Sequence, residues 1–226
     1  NLTKCPFNPS KNSIVKYLYL SGNNFTSLPK NMKEVQMVDL SVNKIGPSLP
    51  TQISESLSSY SNLRQLYLTR NEIDDLNGLK SDTLLLIYLT QNRFKEFPSE
   101  FFTKFPQLKT LYFDCNFLRA LSNQSSETLD AFSLSLNYIE TIDASTISFQ
   151  NLLSLNLSKN VIKKIPKNFS KSFPKLKFLY LGDNFISEIP EMEDDENPAF
   201  PQTLTLLDLS NNLLEKVPNS ITSLPN

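Results

Sequence analysis

One nine-residue form recurs nine times along this chain and constrains its fold more than any other feature. The first copy, Val15-Lys16-Tyr17-Leu18-Tyr19-Leu20-Ser21-Gly22-Asn23, reads apolar-x-x-apolar-x-apolar-x-x-Asn. The other eight close on Asn43, Asn71, Asn92, Asn116, Asn137, Asn160, Asn184 and Asn212. Successive asparagines stand 20, 28, 21, 24, 21, 23, 24 and 28 residues apart in a chain of 226. Self-similarity at such a period is the mark of stacked repeats. The apolar-x-apolar centre has a period of two, which predicts a short strand with one buried face. A single strand cannot bury that face alone, so the repeats must stack and each strand must pair with the next. Asparagine suits the position after the strand because its amide donates and accepts, and so can satisfy the loop backbone. The nine asparagines are therefore read as architecture, not as ligands or catalysts.

Several repeats continue past the asparagine as apolar, two polar, apolar, proline. Examples are Phe25-Thr26-Ser27-Leu28-Pro29, Ile162-Lys163-Lys164-Ile165-Pro166 and Ile186-Ser187-Glu188-Ile189-Pro190. Phe102, Phe169 and Phe173 follow such tails. Proline there has no N–H to leave unpaired and holds the return segment extended. On these residues the whole chain resembles the leucine-rich repeat proteins, mostly of the typical subclass, with irregular repeats of 20–28 residues. Gly46-Pro47-Ser48-Leu49-Pro50 departs toward a plant-type tail. The resemblance implies an α/β solenoid, a leucine-rich repeat horseshoe with a parallel concave β-sheet and a largely irregular convex side. It also implies a protein-binding or scaffolding module, or the recognition part of a larger signalling enzyme or of a pattern-recognition-like cell-surface receptor.

Composition removes most other functions. There is no histidine, the commonest general base and metal ligand. Two cysteines cannot build a four-ligand zinc site. Four glycines and no phosphate-loop pattern argue against nucleotide binding. The expectation is a non-enzymatic chain with no cofactor and no metal. Lys+Arg 22 against Asp+Glu 23 gives a net charge of −1, from which no nucleic-acid partner is expected. The longest apolar run, Leu84–Tyr88, is far short of the ~20 residues of a membrane span.

Residues 1–226 are read as one solenoid cut within repeats at both ends: Cys5-Pro6 aligns with Leu28-Pro29, and Leu224-Pro225 falls where another strand is due. A fragment of a longer protein is the expectation. Residues 53, 57 and 60 have helical spacing in the long repeat after Asn43. The acidic run Glu191-Met192-Glu193-Asp194-Asp195-Glu196 lacks calcium-loop spacing and is read as a solvated loop. Cys5 and Cys115 lie five repeats apart, roughly 24 Å at about 4.8 Å per strand, beyond disulfide reach. Unpaired thiols favour a reducing compartment, hence cytoplasmic localisation, with extracellular or cell surface as the alternative. Five N-x-S/T sequons occur, at Asn1, Asn24, Asn123, Asn156 and Asn168. With 24 asparagines and 42 serines and threonines, chance alone gives about four, so they carry no argument for secretion.

Alternation sends the x residues between the leucines to the concave surface. The central column reads Tyr19, Asp39, Tyr67, Tyr88, Tyr112, Ser133, Asn156, Tyr180, Asp208, and its neighbour Tyr17, Met37, Gln65, Leu86, Thr110, Ala131, Ser154, Phe178, Leu206. Tyrosine and arginine on a rigid surface are frequent anchors of protein interfaces. The candidate partner-binding set is Tyr17, Tyr19, Arg64, Tyr67, Leu86, Tyr88, Tyr112, Phe178 and Tyr180. The competing reading is that tyrosines on neighbouring strands stack with one another to stabilise the sheet.

Overall fold

The computed structural model describes residues 2–3, 14–29, 33–47, 60–76, 78–190, 198–222 and 224–225. Each of the nine repeat centres is a three-residue strand whose middle residue is the second leucine-type position. The chain divides into two compact units, residues 1–116 and 117–226.

The first unit carries β1 (Tyr17–Tyr19), β2 (Met37–Asp39), β3 (Gln65–Tyr67), β4 (Leu86–Tyr88) and β5 (Thr110–Tyr112), each parallel to the one before. Their registers align one repeat position per strand, as in Leu66↔Ile87 and Ile87↔Leu111. In the second unit, β7 (Ala131–Ser133), β9 (Ser154–Asn156), β10 (Phe178–Tyr180) and β11 (Leu206–Asp208) repeat that arrangement. Two short strands, β6 (Ala120–Leu121) and β8 (Thr141–Ile142), pair on the return side of this unit. Among the described residues the remaining return segments are extended or turning. They include three single-turn helices, α1 (Phe101–Lys104), α2 (Phe169–Ser172) and α3 (Asn219–Thr222). The α/β solenoid with a parallel sheet and an irregular return side is thus the observed architecture.

Burial follows the pattern position by position. Leu66, Leu111, Leu155 and Leu179 at strand centres are fully buried, as are Leu68, Leu89, Leu157 and Leu181 two residues on. Phenylalanines fill the space between sheet and return segments. Phe94, Phe97, Phe101, Phe102, Phe105 and Phe113 touch ring to ring in the first unit. Phe132, Phe149, Phe169, Phe173 and Phe200 do so in the second. Each fully buried ring contributes about 1.5–3 kcal/mol of transfer free energy, so these two spines replace the helices that other solenoids use to cover the sheet.

The asparagines do what their chemistry predicts. Asn71 Nδ2 donates to the carbonyls of Leu68 (3.1 Å) in its own repeat and Leu40 (3.0 Å) in the preceding one. Its Oδ1 accepts from the Ile45 N–H at 3.0 Å. Asn43, Asn92, Asn160 and Asn184 repeat the scheme. The turn that allows it is left-handed at the preceding residue: Gly22, Val42, Arg70, Gln91, Cys115, Leu136, Lys159, Asp183 and Asn211 all have φ between 52° and 71°. Cys5, the helical spacing at 53–59 and the acidic run 191–196 lie outside the described residues. Tyr60, the last residue of that spacing, is fully buried and donates to the Pro29 carbonyl at 2.7 Å.

Candidate functional site

Because side chains alternate, each strand turns its middle residue into the core and its two flanking residues outward. In β1 this leaves Tyr17 61% and Tyr19 69% exposed on either side of buried Leu18. Parallel in-register pairing then builds columns. Tyr19 faces Asp39, Asp39 faces Tyr67, Tyr67 faces Tyr88, and Tyr88 faces Tyr112. Three tyrosines on consecutive strands stack face to face. The Tyr67–Tyr88 ring centroids are 4.9 Å apart at 11°, and the Tyr88–Tyr112 centroids 4.2 Å apart at 6°. The spacing is that of the strands themselves.

All three rings are half-exposed. The Tyr67 hydroxyl donates to Gln65 Oε1 at 3.1 Å. Burial, then a hydrogen bond with Tyr112 and the charges around it, pushes the Tyr88 hydroxyl up to about 12. Burial and the Asp39 carboxylate raise Tyr67 as well. Tyr67 and Tyr88 therefore stay neutral over the physiological range. Leu86, half-exposed, lies between Gln65 and Thr110 in the neighbouring column. Arg64 is exposed at the edge where β3 begins, and its guanidinium donates to the Thr83 carbonyl at 3.2 Å.

The structure thus gathers Tyr17, Tyr19, Arg64, Tyr67, Leu86, Tyr88 and Tyr112 in the first unit, and Phe178 and Tyr180 in the second. Phe178 is 40% exposed, and half-exposed Tyr180 stands between Asn156 and Asp208. The Asp208 carboxylate accepts from the Ser210 hydroxyl (2.6 Å) and N–H (2.9 Å), which hold it below the usual carboxylate range. Two column members depart from simple alternation: Met37 and Ser133 are buried at 7% and 9% exposure. Met37 keeps its place in the column, in register with Tyr17 and Gln65, but is covered there.

A second exposed row escaped the column reading because it lies past the strand, at the residue after each asparagine. In the second unit it reads Phe117, Tyr138, Val161, Phe185, Leu213, with Phe117, Tyr138, Phe185 and Leu213 46–57% exposed. Phe117 and Tyr138 stack at 6.1 Å and 6°. The same position in the first unit is polar or charged, Asn24, Lys44, Glu72 and Arg93, with Arg93 and Glu72 paired at 3.1 Å. The position after the asparagine carries this row in the sequence itself, outside the period-two pattern of the strands.

With nine aligned strands and the asparagine hydrogen bonds established, the comparisons agree on one family. A leucine rich repeat family model matches residues 127–186, and a second matches residues 15–35 and 203–224. The chain is a leucine-rich repeat protein. Lumican from Mus musculus is 26% identical over 217 residues, covering 86% of this chain and 62% of lumican. Toll-like receptor 3 from Bos taurus is 26% identical over 202 residues, covering 81% of this chain and 22% of the receptor. Among solved structures, the crystal structure of a TLR13–ssRNA13 complex superposes with a TM-score of 0.66 at 18% identity, over 90% of this chain and 37% of that one. The leucine-rich repeat chain thus spans less than two thirds of the length of these relatives.

Two expectations change. Single-stranded RNA sits in a complex with a chain of this same fold, so a net charge of −1 does not exclude nucleic acid as a partner. Lumican and Toll-like receptor 3 are extracellular or cell-surface proteins, which matches the alternative compartment and not the cytoplasm inferred from two thiols. Half-exposed Cys115 has its thiol pushed up by burial and then by Asp114, so it is a poor nucleophile at neutral pH. Its being unpaired therefore says little about the compartment. Among the described residues no helix is long and apolar enough to cross a membrane.

Proposed function

We propose that residues 1–226 form one ligand-recognition array of an extracellular or cell-surface protein, non-enzymatic in itself, which takes a protein partner on its exposed sheet faces. The stacked Tyr67–Tyr88–Tyr112 ladder carries this reading. The core is already filled by Leu66, Ile87 and Leu111, at most 1% exposed, so the tyrosines are not needed to cover the sheet. Stacking fixes three large rings before a partner arrives, and preordered side chains lose little entropy on binding. Tyr17, Tyr19, Leu86 and Arg64 extend the surface in the first unit, and Phe178 and Tyr180 supply a second set.

Stacking also stabilises the sheet, by about 0.5–1.5 kcal/mol per aromatic pair, so loss of fold and loss of contact must be separated. The test immobilises the protein and a Tyr67→Ala, Tyr88→Ala, Tyr112→Ala variant whose circular dichroism matches it. Both are offered extracellular-fluid proteins and a single-stranded RNA oligonucleotide. A protein bound by the parent and lost by the folded variant is the expected result. A protein bound equally by both removes the ladder from the site. RNA captured by the parent and lost by the variant replaces the protein partner with nucleic acid, the rings then stacking bases.

A further inference from the structure

The sequons cannot be told apart in the sequence, but folding makes them unequal. We infer, on the extracellular reading above, that Asn123 and Asn168 are N-glycosylation sites and that Asn156 is not.

Asn123 is exposed in a left-handed turn (φ 54°) just past β6. Its N–H is held by Thr146 Oγ1 at 3.0 Å, which anchors the backbone. Gln124 turns inward at 5% exposure, so Asn123 and the exposed Ser125, the two residues the sequon uses, turn outward together. Asn168 is exposed at the residue preceding α2, again left-handed (φ 64°), and its side chain makes no capping bond to the helix. Its backbone carbonyl accepts from the Lys171 N–H at 3.0 Å, which holds the turn while the amide group stands clear. The Ser170 hydroxyl of this sequon donates to the Pro198 carbonyl at 2.6 Å, an engagement like that of Ser158 in the Asn156 sequon. The two sequons therefore differ at the asparagine itself: Asn168 stands exposed outside the sheet and Asn156 lies within a strand of it.

Asn156 is placed differently. It is the last residue of β9, flanked in register by Ser133 and Tyr180 on strands ~4.8 Å away. Its Oδ1 accepts from both the N–H (3.0 Å) and the hydroxyl (2.7 Å) of Ser158, the hydroxyl of its own sequon. A sugar on its amide would lie across Tyr180. Asn1 lies outside the described residues, and Asn24, half-buried, is not assigned.

The chemistry is transfer of an oligosaccharide from a lipid-linked pyrophosphate. The asparagine Nδ2 forms a bond to the anomeric carbon, the sugar–phosphate bond breaks, Nδ2 gives up one proton, and the lipid pyrophosphate leaves with the bonding pair. Both glycans would stand on the return side of the second unit and leave the faces of β7, β9, β10 and β11 bare. They therefore mark the side that is not used for recognition.

The full-length protein is directed into the secretory pathway of cultured eukaryotic cells by a supplied signal sequence. The secreted product is deglycosylated by peptide N-glycosidase in heavy-oxygen water, which labels each formerly glycosylated asparagine as aspartate for peptide mass spectrometry. Label at Asn123 and Asn168 with none at Asn156 is expected. Asn123→Gln and Asn168→Gln should each remove one step of gel mobility, and Asn156→Gln none. Ser125→Ala, which leaves Asn123 in its turn, should remove the same step as Asn123→Gln. Label at Asn156, or its absence at Asn123 or Asn168 in secreted protein, overturns the assignment. Since the signal is supplied, this result is independent of the natural compartment. Fractionation of the source cells tests that separately: native protein in the cytosol refutes the extracellular reading while leaving the surface assignment standing.

Discussion

Replacing Asn92 with alanine tests whether the asparagines hold adjacent repeats together. Asn92 is 5% exposed. Its amide donates to the Leu68 carbonyl of the preceding repeat at 2.9 Å and to Leu89 at 3.1 Å, and its Oδ1 accepts from the Ile73 N–H at 3.1 Å. A fourth contact, to the Thr90 carbonyl at 3.4 Å, is near the limit of a hydrogen bond. Three buried hydrogen bonds at a net ~0.5–1.5 kcal/mol each, with the added penalty of an unpaired buried N–H at Ile73, give a loss of about 3–4 kcal/mol. Asn23 provides the control. It is half-buried, its Nδ2 reaches Leu20 and Ser21 at 3.2 and 3.3 Å, and its Oδ1 accepts from the Leu2 N–H at 2.9 Å in a solvent-exposed bond. Water can replace those bonds, so Asn23→Ala should cost about 1 kcal/mol or less. Urea unfolding followed by far-ultraviolet circular dichroism, with the slope unchanged, measures both. Equal losses in the two variants, or less than about 1 kcal/mol at Asn92, would refute the reasoning.

The other predictions follow from backbone and titration. Gly46 has φ +126°, and a Cβ there would fall on the Glu72 carbonyl and 2.8 Å from the Ile73 nitrogen; Gly46→Ala should cost at least about 3 kcal/mol. Gly22, at φ +71° with open space around it, should lose only about 1–2 kcal/mol on Gly22→Ala, a contrast the same unfolding experiment reads. Val42 is β-branched, 48% exposed and left-handed at φ 55°; Val42→Asn should raise the urea midpoint, by about 0.5–1 kcal/mol. The Tyr88 hydroxyl is raised to about 12 in the folded chain, so the folded state keeps a proton that the unfolded state loses near pH 10. The resulting stability is complete below pH 10 and is lost as pH rises through about 12. Two pK units nominally correspond to ~2.7 kcal/mol, but the ring is largely solvent-screened, and about 1 kcal/mol is the expected size. Tyr88→Phe should show a correspondingly shallower alkaline loss of urea midpoint; an identical pH profile in both proteins would contradict it.

The strands were legible because the repeat encodes them in a period-two pattern that nothing else in the chain imitates. Each centre falls where the spacing places it, from Leu18 to Leu207. The asparagine bonds were legible in kind, since an amide at a strand end has few other uses. Less visible was the left-handed residue before each asparagine. Only Gly22 announces it, and Val42 and Leu136 are residues that resist it; stacking overrides their local preference. The burial of Met37 and Ser133 within their columns was not legible, because alternation gives the face a side chain stands on and not how far its neighbours cover it. The tyrosine ladder could be assembled by column but not oriented, and its ring separations come only from the strand register. The row Phe117, Tyr138, Phe185 and Leu213 was available in the sequence, yet it belongs to a position that the period-two pattern does not distinguish.

Oxidative footprinting of the partner-bound protein tests whether recognition uses the sheet face carrying the tyrosine ladder. Hydroxyl radicals would be generated with and without the captured partner, and modification of each tyrosine read by mass spectrometry. Protection of Tyr17, Tyr19, Tyr67, Tyr88 and Tyr112 is expected, with Tyr138, 52% exposed beyond the strand, unchanged. Protection of Tyr138 with the ladder tyrosines unchanged would contradict it and move the site to the row that follows the asparagines.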